Sequence, residues 1–473
     1  MALFSRGFDS KPTPNEKEYE PSTFDPKSIT LDEEPIVLDK QQEVIVHSDA
    51  KNIIVVAGAG SGKTRVLTER IRYLIEEKNV PAVGVVAITF TNMAAEEMRT
   101  RLSSVKSIGD AFIGTIHSFA NRIMKESGER YTLLTDEVDV QIHGELIRRH
   151  CKNLDRDRYL EYREVCKKVD RGELNDYVRD NFLTMAEKHD LYLIELPLAT
   201  VLEDLKSDTP VTYGECCQML MRKRGIITFD ELLEKAKAYF ERINAKLEYV
   251  FVDELQDVGT LEYSFIRSLN AENYFFVGDD YQSIYGFKGG NVNIFRNLCK
   301  DETFTQYFMT NNYRNGVNIL KLADVVISQV PNRISKTYVV CSGIDDDKCT
   351  TVSRFQIDSV LNSLRREEDY REWFFLVRSN KELYEVSKRM TEKFIPHVTF
   401  KREGMSLKQL QDKMKSNQIK LLTVHTAKGL EADNVILYGN FPVYAPPYRM
   451  NDEERKVMYV GITRARKNLI IMN

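Results

Sequence analysis

Residues 55–65 read VVAGAGSGKTR. Counted from Ala57, the spacing A-x-x-x-x-G-K-T is that of a loop built to wrap phosphates. Glycines let the backbone approach an anion, Lys63 brings a point charge, and Thr64 brings a hydroxyl for a metal ion. Glycine-rich strings also occur as plain turns, so the surroundings decide. Upstream, NIIVV (52–56) is a short apolar run; downstream, TRVLTERIRYLIEE (64–77) has helical period. Strand, glycine loop and helix are the context that the phosphate reading requires. VGVVAITF (83–90), EYVFVDE (248–254) and NYFFVGDD (273–280) are further apolar runs with helical stretches between them. They predict an α/β fold with a mainly parallel sheet covered on both faces.

The chain of 473 residues is too long for one core, so several domains are expected. A hydrophobic fraction of 42% and a charged fraction of 29% are those of a globular protein. No apolar run is long enough to span a bilayer, and MALFSRGFDSK has no apolar signal core, so the expected setting is cytoplasmic, with no membrane partner. Seven cysteines show no CxxC pair and no grouping with histidine, which suits reduced thiols. A formal net charge of −4 gives no whole-molecule attraction to nucleic acid, yet a local basic groove is compatible with it.

Residues 1–30 lack any period and read as a flexible tail or as a strap over the fold. Between 121 and 240 the texture turns helical and highly charged, in NRIMKES, VQIHGELIRRH, YLEYREVCKKV, LNDYVRDNFLTMAEKH and YGECCQMLMRKR. This predicts a helical domain inserted into the first sheet domain, which takes 31–120 and 241–303. A second strand series, FTQYFM (304–309), EWFFLV (372–377), IKLLTV (419–424), NVILYG (434–439) and NLIIM (468–472), predicts a second α/β domain over 304–473.

VFVDELQD (250–257) adds the chemistry. An apolar strand delivers Asp253 and Glu254 at its end. Thr64 and Asp253 are the expected magnesium ligands, Lys63 reaches the terminal phosphates, and Glu254 polarises an attacking water. A lone Asp-Glu pair is ordinarily a solvated turn; its place after a strand and a phosphate loop favours the metal and water roles.

These motifs, with the others that follow in order, resemble the UvrD/PcrA/Rep family of superfamily 1 DNA helicases over residues 36–472. LDKQQ (38–42) resembles its adenine-reading segment, with Gln41 the matching glutamine. Ala57, Gly58, Ala59, Gly60, Ser61, Gly62, Lys63 and Thr64 match its phosphate loop, with Arg65 beside the nucleotide. VGDDYQSIYGFKG (277–289) supplies Gln282, a sensor of the terminal phosphate. NNYRN (311–315) supplies Tyr313, to stack on the base, and Arg314; TVHTAKGLEADNV (423–435) supplies Glu431, near the ribose; YVGITRAR (459–466) supplies Arg464. Two arginines from a second domain would tie hydrolysis to closure of the cleft.

The resemblance implies two RecA-like domains, ATP and Mg2+ as cofactors, and single-stranded DNA and single-strand/duplex junctions as partners. Expected DNA contacts are Phe90, Thr91 and Asn92, then Thr115 and His117, Tyr285 and Phe287, and Thr423 and His425. Aromatic stacking with polar groups on phosphates grips without sequence preference. His117 and His425 read equally as capping or core residues, and Tyr285 and Phe287 as ordinary packing. Phe287 and Lys288 replace the family's tryptophan and arginine, and Ala432 replaces an aromatic. Only about 40 residues (380–418) stand where full-length relatives carry a second helical insertion, so a reduced remnant is expected there. No nuclease domain is expected after Lys467. Three activities fit: a 3′-to-5′ motor that unwinds duplex; a DNA-stimulated ATPase acting as a switch or clamp for a partner such as a nuclease or a replication or repair factor; and a non-catalytic homologue.

Overall fold

The computed structural model describes residues 37–150, 195–198, 202, 210–400, 412–439 and 451–473. It divides into two compact units. The larger holds two six-stranded parallel sheets. The first is made of β1 (Asn52–Ala57), β2 (Val85–Thr89), β3 (Phe112–Thr115), β4 (Tyr249–Val252), β5 (Asn273–Gly278) and β6 (Thr305–Met309), in the order β6-β1-β5-β4-β2-β3. The second is made of β7 (Lys348–Val352), β8 (Trp373–Val377), β9 (His397–Thr399), β10 (Ile419–Thr423), β11 (Ala432–Tyr438) and β12 (Ala465–Met472), in the order β7-β12-β11-β8-β10-β9. Two RecA-like parallel cores with an inserted helical region are therefore present, as the alternation of apolar runs and helices predicts.

The unbroken apolar runs are explained by burial on both faces. Phe374, Leu376, Leu422 and Leu437 enter one core with Ile319, Val457 and Ile462. The intervening Phe375, Val377, Leu421 and Ile436 enter another with Leu361, Val386 and Met390. Alternate side chains of one strand thus reach different cores, and neither face of the strand is polar. In the first sheet, Ile53 and Val55 pack with Val66, Leu67 and Ile71 of the helix Lys63–Glu76.

One strand is corrected. FTQYFM, expected to open the second sheet, forms β6 at the edge of the first, in parallel register with β1 from Ile53↔Thr305 to Ala57↔Met309. Its pairing continues past the strand ends, where the Gly58 amide donates to Met309 O at 2.9 Å. An apolar run announces a strand but not its neighbour. Here the neighbour is the strand that carries the phosphate loop.

The smaller unit, Ile116–Ala245 with Leu261–Asn270, is mainly helical among its described residues. Its helix Phe229–Ile243 starts in a capping box: Glu231 N donates to Thr228 Oγ1, and Glu231 accepts from Thr228 N. Helices Ile116–Ser127 and Tyr213–Lys223 contain the expected NRIMKES and most of YGECCQMLMRKR. YLEYREVCKKV, LNDYVRDNFLTMAEKH and residues 1–30 lie outside the described residues. The stretch 380–400 forms helix Asn380–Glu392 and β9, an edge strand of the second sheet. Among the described residues no helix is long and apolar enough to cross a membrane, and Cys216, Cys217, Cys299, Cys341 and Cys349 are free thiols.

Candidate nucleotide site and strand-binding residues

The loop after β1 is held in an unusual way. Every carbonyl from Gly58 to Ser61 is taken by the protein: Gly58 O by Ser61 Oγ at 2.8 Å, Ala59 O by Asn312 Nδ2 at 2.7 Å, Gly60 O by the Tyr313 amide at 2.9 Å, and Ser61 O by Gln42 Nε2 at 3.1 Å. Among the described residues the amides of Gly60, Gly62, Lys63 and Thr64 have no acceptor. Carbonyls fixed on one side leave N–H groups for the other, which is the arrangement that receives an anion. Gly60 (φ 65°) and Gly62 (φ 86°) occupy the left-handed region, where a side chain is strained.

Lys63 Nζ lies 3.2 Å from Glu254 Oε1 and makes no hydrogen bond among the described residues. Asp253 and Glu254 follow β4, and Glu254 has φ 54°. On the far side of Glu254 stands Lys428, whose Nζ is 3.4 Å from Glu254 Oε2, is paired with the buried Asp257, and donates to Gln282 O at 2.8 Å. Burial works to raise the Glu254 carboxyl, but Lys63 and Lys428 outweigh it and hold the group well below the usual carboxylate range. Asp253 moves the other way: burial, reinforced by the Glu254 charge, pushes its carboxyl up. Two adjacent carboxyls are therefore driven apart: Lys63 and Lys428 prevail at Glu254, whereas at Asp253 burial and the Glu254 charge outweigh the same two lysines.

Two arginines stand on the second-sheet side: Arg464 just before β12, and Arg314 just after Asn311–Asn312, which forms a short parallel pair with Val339–Val340. Arg464 is 1% exposed; its Nε donates to Val460 O at 3.0 Å and its Nη2 to Gln282 Oε1 at 3.3 Å. Burial, with Arg314 nearby, brings its guanidinium down to about 9. Arg314 is paired through Nε with Glu431, so the expected ribose contact is engaged with an arginine here. Asn312 and Asn315 connect these parts: Asn315 Nδ2 donates to Thr463 O at 3.1 Å and to Ala465 O at 2.6 Å, and Asn312 Nδ2 to Asn315 Oδ1 at 3.0 Å.

The base-side residues are also placed. Gln41 exchanges two bonds with Thr310: the Thr310 amide donates to Oε1 at 3.0 Å, and Nε2 donates to Thr310 Oγ1 at 3.2 Å. Tyr313 is 43% exposed and its hydroxyl donates to Asp39. Arg65 is exposed at the start of the helix.

Phe287 is 63% exposed, with its ring edge-on to His425 at 5.4 Å. It is not a core residue. Tyr285 is: it is buried, stacked on Phe90 at 4.7 Å, and its hydroxyl donates to His425 O at 3.0 Å. Thr91 and Thr423 cap the helices that follow them, accepting from Ala94 N and Thr426 N, each at 3.2 Å. Asn92 is exposed, while Thr115, at the end of β3, is half-buried. His425 is brought down to about 4, by burial and then by Arg378. Within the helical unit, His117 packs edge-on against Phe229 at 5.1 Å and is lowered by burial.

Sequence reasoning missed Gln42, Asn312, Asn315, Lys336, Tyr338 and Lys428. Gln42, Asn312, Asn315 and Lys428 stand inside the motifs LDKQQ, NNYRN and TVHTAKGLEADNV, whose other residues carry the more obvious chemistry. Nothing marks Lys336, in RISKTY, as more than a surface lysine.

Comparison with known proteins agrees with this arrangement. Residues 38–303 match the UvrD/REP helicase N-terminal domain, and 400–473 match the UvrD-like helicase C-terminal domain. A probable DNA helicase of Mycoplasma pneumoniae is 29% identical over 92% of this chain and 83% of its own length. ATP-dependent DNA helicase PcrA of Leuconostoc citreum is 32% identical over 63% of this chain, and DNA helicase II of Escherichia coli 26% identical over 76%. The chain matches only 40% and 50% of the lengths of those two. By these matches, and by its two parallel cores, the chain belongs to the UvrD/REP helicase family.

Proposed function

We propose that the chain is an ATP-driven motor that moves 3′-to-5′ along single-stranded DNA and separates duplex ahead of it. The observation that carries this reading is the Lys63–Glu254 pair at 3.2 Å, with Arg464 and Gln282 joined beside it from the two sheets. The loop fits a triphosphate: among the described residues the amides of Gly60, Gly62, Lys63 and Thr64 have no acceptor and Lys63 Nζ makes no hydrogen bond. Thr64 and Asp253 would hold Mg2+, whose contribution when bound is to offset charge on the phosphates. Glu254, kept ionised by two lysines, orients the attacking water and accepts its proton. Arg464, just before β12, and Arg314, which is paired with Glu431 beside β11, complete the site only when the sheets are apposed, which couples turnover to their motion. Gln41, Tyr313, Arg65 and Glu431 are the proposed base, sugar and flank contacts.

Phe287 is the proposed stacking platform. Phe90, Asn92, Thr115 and His425 are proposed to line the strand path, with Thr91 and Thr423 as helix-capping hydroxyls beside it. His117 is a proposed phosphate contact of the helical unit. The test is strand displacement on 3′-tailed, 5′-tailed and blunt duplexes, with ATP consumption followed in parallel. Unwinding of the 3′-tailed substrate alone is expected. Turnover without displacement on any substrate refutes the motor and leaves a DNA-stimulated switch acting for a protein partner.

A further inference from the structure

Behind the nucleotide site lies a buried ionic cluster for which the proposed chemistry has no use. Lys336 Nζ, with no side-chain exposure, donates to Asp279 Oδ1 and to Asp280 Oδ1, both at 2.7 Å, and sits 3.4 Å from the centre of the Tyr281 ring. A lysine this deep normally loses its proton. Burial does press it down, but the two aspartates more than compensate, and its ammonium is held above the ordinary range. Such a cluster is costly to desolvate and adds little stability over an apolar replacement, so its chemistry calls for another explanation.

The two aspartates differ in what lies beyond them. Asp280 Oδ2 accepts from the Ile334 amide at 2.9 Å and from Arg296 at 3.5 Å; both are scaffold contacts. Asp279 Oδ2 accepts from Gln282 Nε2 at 2.6 Å. The Asp279 amide donates to Gln256 Oε1 at 2.8 Å, and Gln256 Nε2 in turn donates to Glu254. An ionised carboxylate can only accept, so Asp279 dictates which end of the Gln282 amide faces it. The NH2 must turn toward Asp279, and the carbonyl oxygen must turn away. That oxygen is the one that accepts from Arg464 Nη2.

We propose that Asp279, ion-paired with Lys336 at 2.7 Å, is a positioning residue for ATP turnover: it fixes the direction of the Gln282 amide and thereby the aim of Arg464. The inference rests on the ATPase reading above. Asp279 touches neither phosphate nor water in this scheme. It acts by denying Gln282 the flipped orientation, in which an NH2 group would face the guanidinium donors.

Asp279→Asn tests this with almost no change of shape. Its carboxamide oxygen stays with Lys336 and the Tyr281 amide, and its NH2 then faces Gln282, which must flip. Asp280→Asn removes the same charge from the same lysine without touching Gln282. ATP turnover, nucleotide affinity with a fluorescent ADP analogue, and thermal melting are measured for both, beside the wild type and Lys63→Ala. The expected result for D279N is a kcat at least tenfold lower, with nucleotide affinity and KM within about threefold of wild type. D280N is expected to melt at lower temperature with kcat within about twofold. Wild-type turnover in D279N, where K63A abolishes it, refutes the inference alone; so does an equal loss of kcat in D279N and D280N. Absence of turnover in the wild type refutes the ATPase reading and the inference with it.

Discussion

Phe287→Ala separates strand binding from folding, because the ring is both exposed and poorly packed. With 63% of the residue exposed, about a third of its surface is withdrawn from solvent. Fully burying a phenylalanine side chain is worth roughly 1.5–3 kcal/mol, so the part lost here is ~0.5–1 kcal/mol. The edge-on contact with His425 at 5.4 Å adds about 0.5 kcal/mol. The total, near ~1–1.5 kcal/mol, is well below the ~3–5 kcal/mol that truncating a core phenylalanine costs. Stacking of one base on the ring is worth roughly 1–3 kcal/mol, which converts to about a five- to hundredfold loss of single-strand affinity. Fluorescence anisotropy of a labelled oligonucleotide reads the affinity, and thermal melting reads the fold. Affinity should fall while the melting temperature moves by only a few degrees, and basal ATPase without DNA should hold. Phe287→Trp should keep or tighten the grip. Unchanged affinity in a well-folded F287A protein would refute the platform, and a collapse of the melting temperature would refute the packing estimate.

Lys63→Ala should lower DNA-stimulated ATP hydrolysis by about 10²-fold or more, ~3 kcal/mol in the transition state, whereas Glu254→Gln should block turnover but leave nucleotide bound, as equilibrium binding and steady-state rates on one preparation will show. Gly58→Ala would put a methyl 2.2 Å from Tyr338 Cε1, on a ring whose hydroxyl is tied to that of Tyr459 at 2.7 Å. A cost of about 1–3 kcal/mol in denaturant unfolding is expected, and it should shrink markedly when measured in a Tyr338→Ala background. His425 titrates near 6.5 when unfolded and is brought down to about 4 in the fold by burial and then Arg378. The unfolded chain therefore binds the extra proton between those values, and stability should fall as pH drops from about 6.5 to about 4. After allowance for solvent screening the loss is ~1–2 kcal/mol; His425→Gln should flatten that slope in pH-dependent melting, and an unchanged slope would assign it to other groups.

Strands such as β1, β8 and β10 are legible in the sequence because burial on both faces makes them short, nearly unbroken apolar runs. KCTTV, which forms β7, escaped notice: most of it is exposed at the sheet edge and carries no such run. FTQYFM reads as a strand although it is mostly exposed at the sheet edge, but its sheet is not legible, since its parallel partner β1 lies hundreds of residues away and leaves no mark on the strand itself. The site divides similarly. Lys63, Asp253 and Glu254 sit in short motifs whose spacing encodes their chemistry. Lys336 and Lys428 derive their importance from burial against carboxylates far away in sequence, and a lone lysine looks the same whether it ends in water or between two aspartates. Tyr285 and Phe287, two residues apart in a glycine-bearing loop, could not be told apart beforehand; one points into the core and one out of it.

Gln41 has a single amide group and, on this scheme, two claimants. The chain leaves the first sheet at Met309 and returns to it in no other described strand, so Thr310 is the covalent crossing to everything that follows. Each end of Gln41 makes one bond to that crossing, Oε1 accepting from the Thr310 amide and Nε2 donating to its hydroxyl. An amide keeps a second N–H and a second lone pair, so a purine edge competes with Thr310 only if it takes the same N–H and the same lone pair. With such competition, reciprocity would set the terms: free energy that ties the crossing down would be subtracted from base affinity, and a bound base would loosen the crossing by the same factor. A triphosphate lacking the right base could still fill the loop, yet it would leave this tether fastened. Discrimination among nucleotides would then be felt in the freedom of the joint as much as in the occupancy of the pocket.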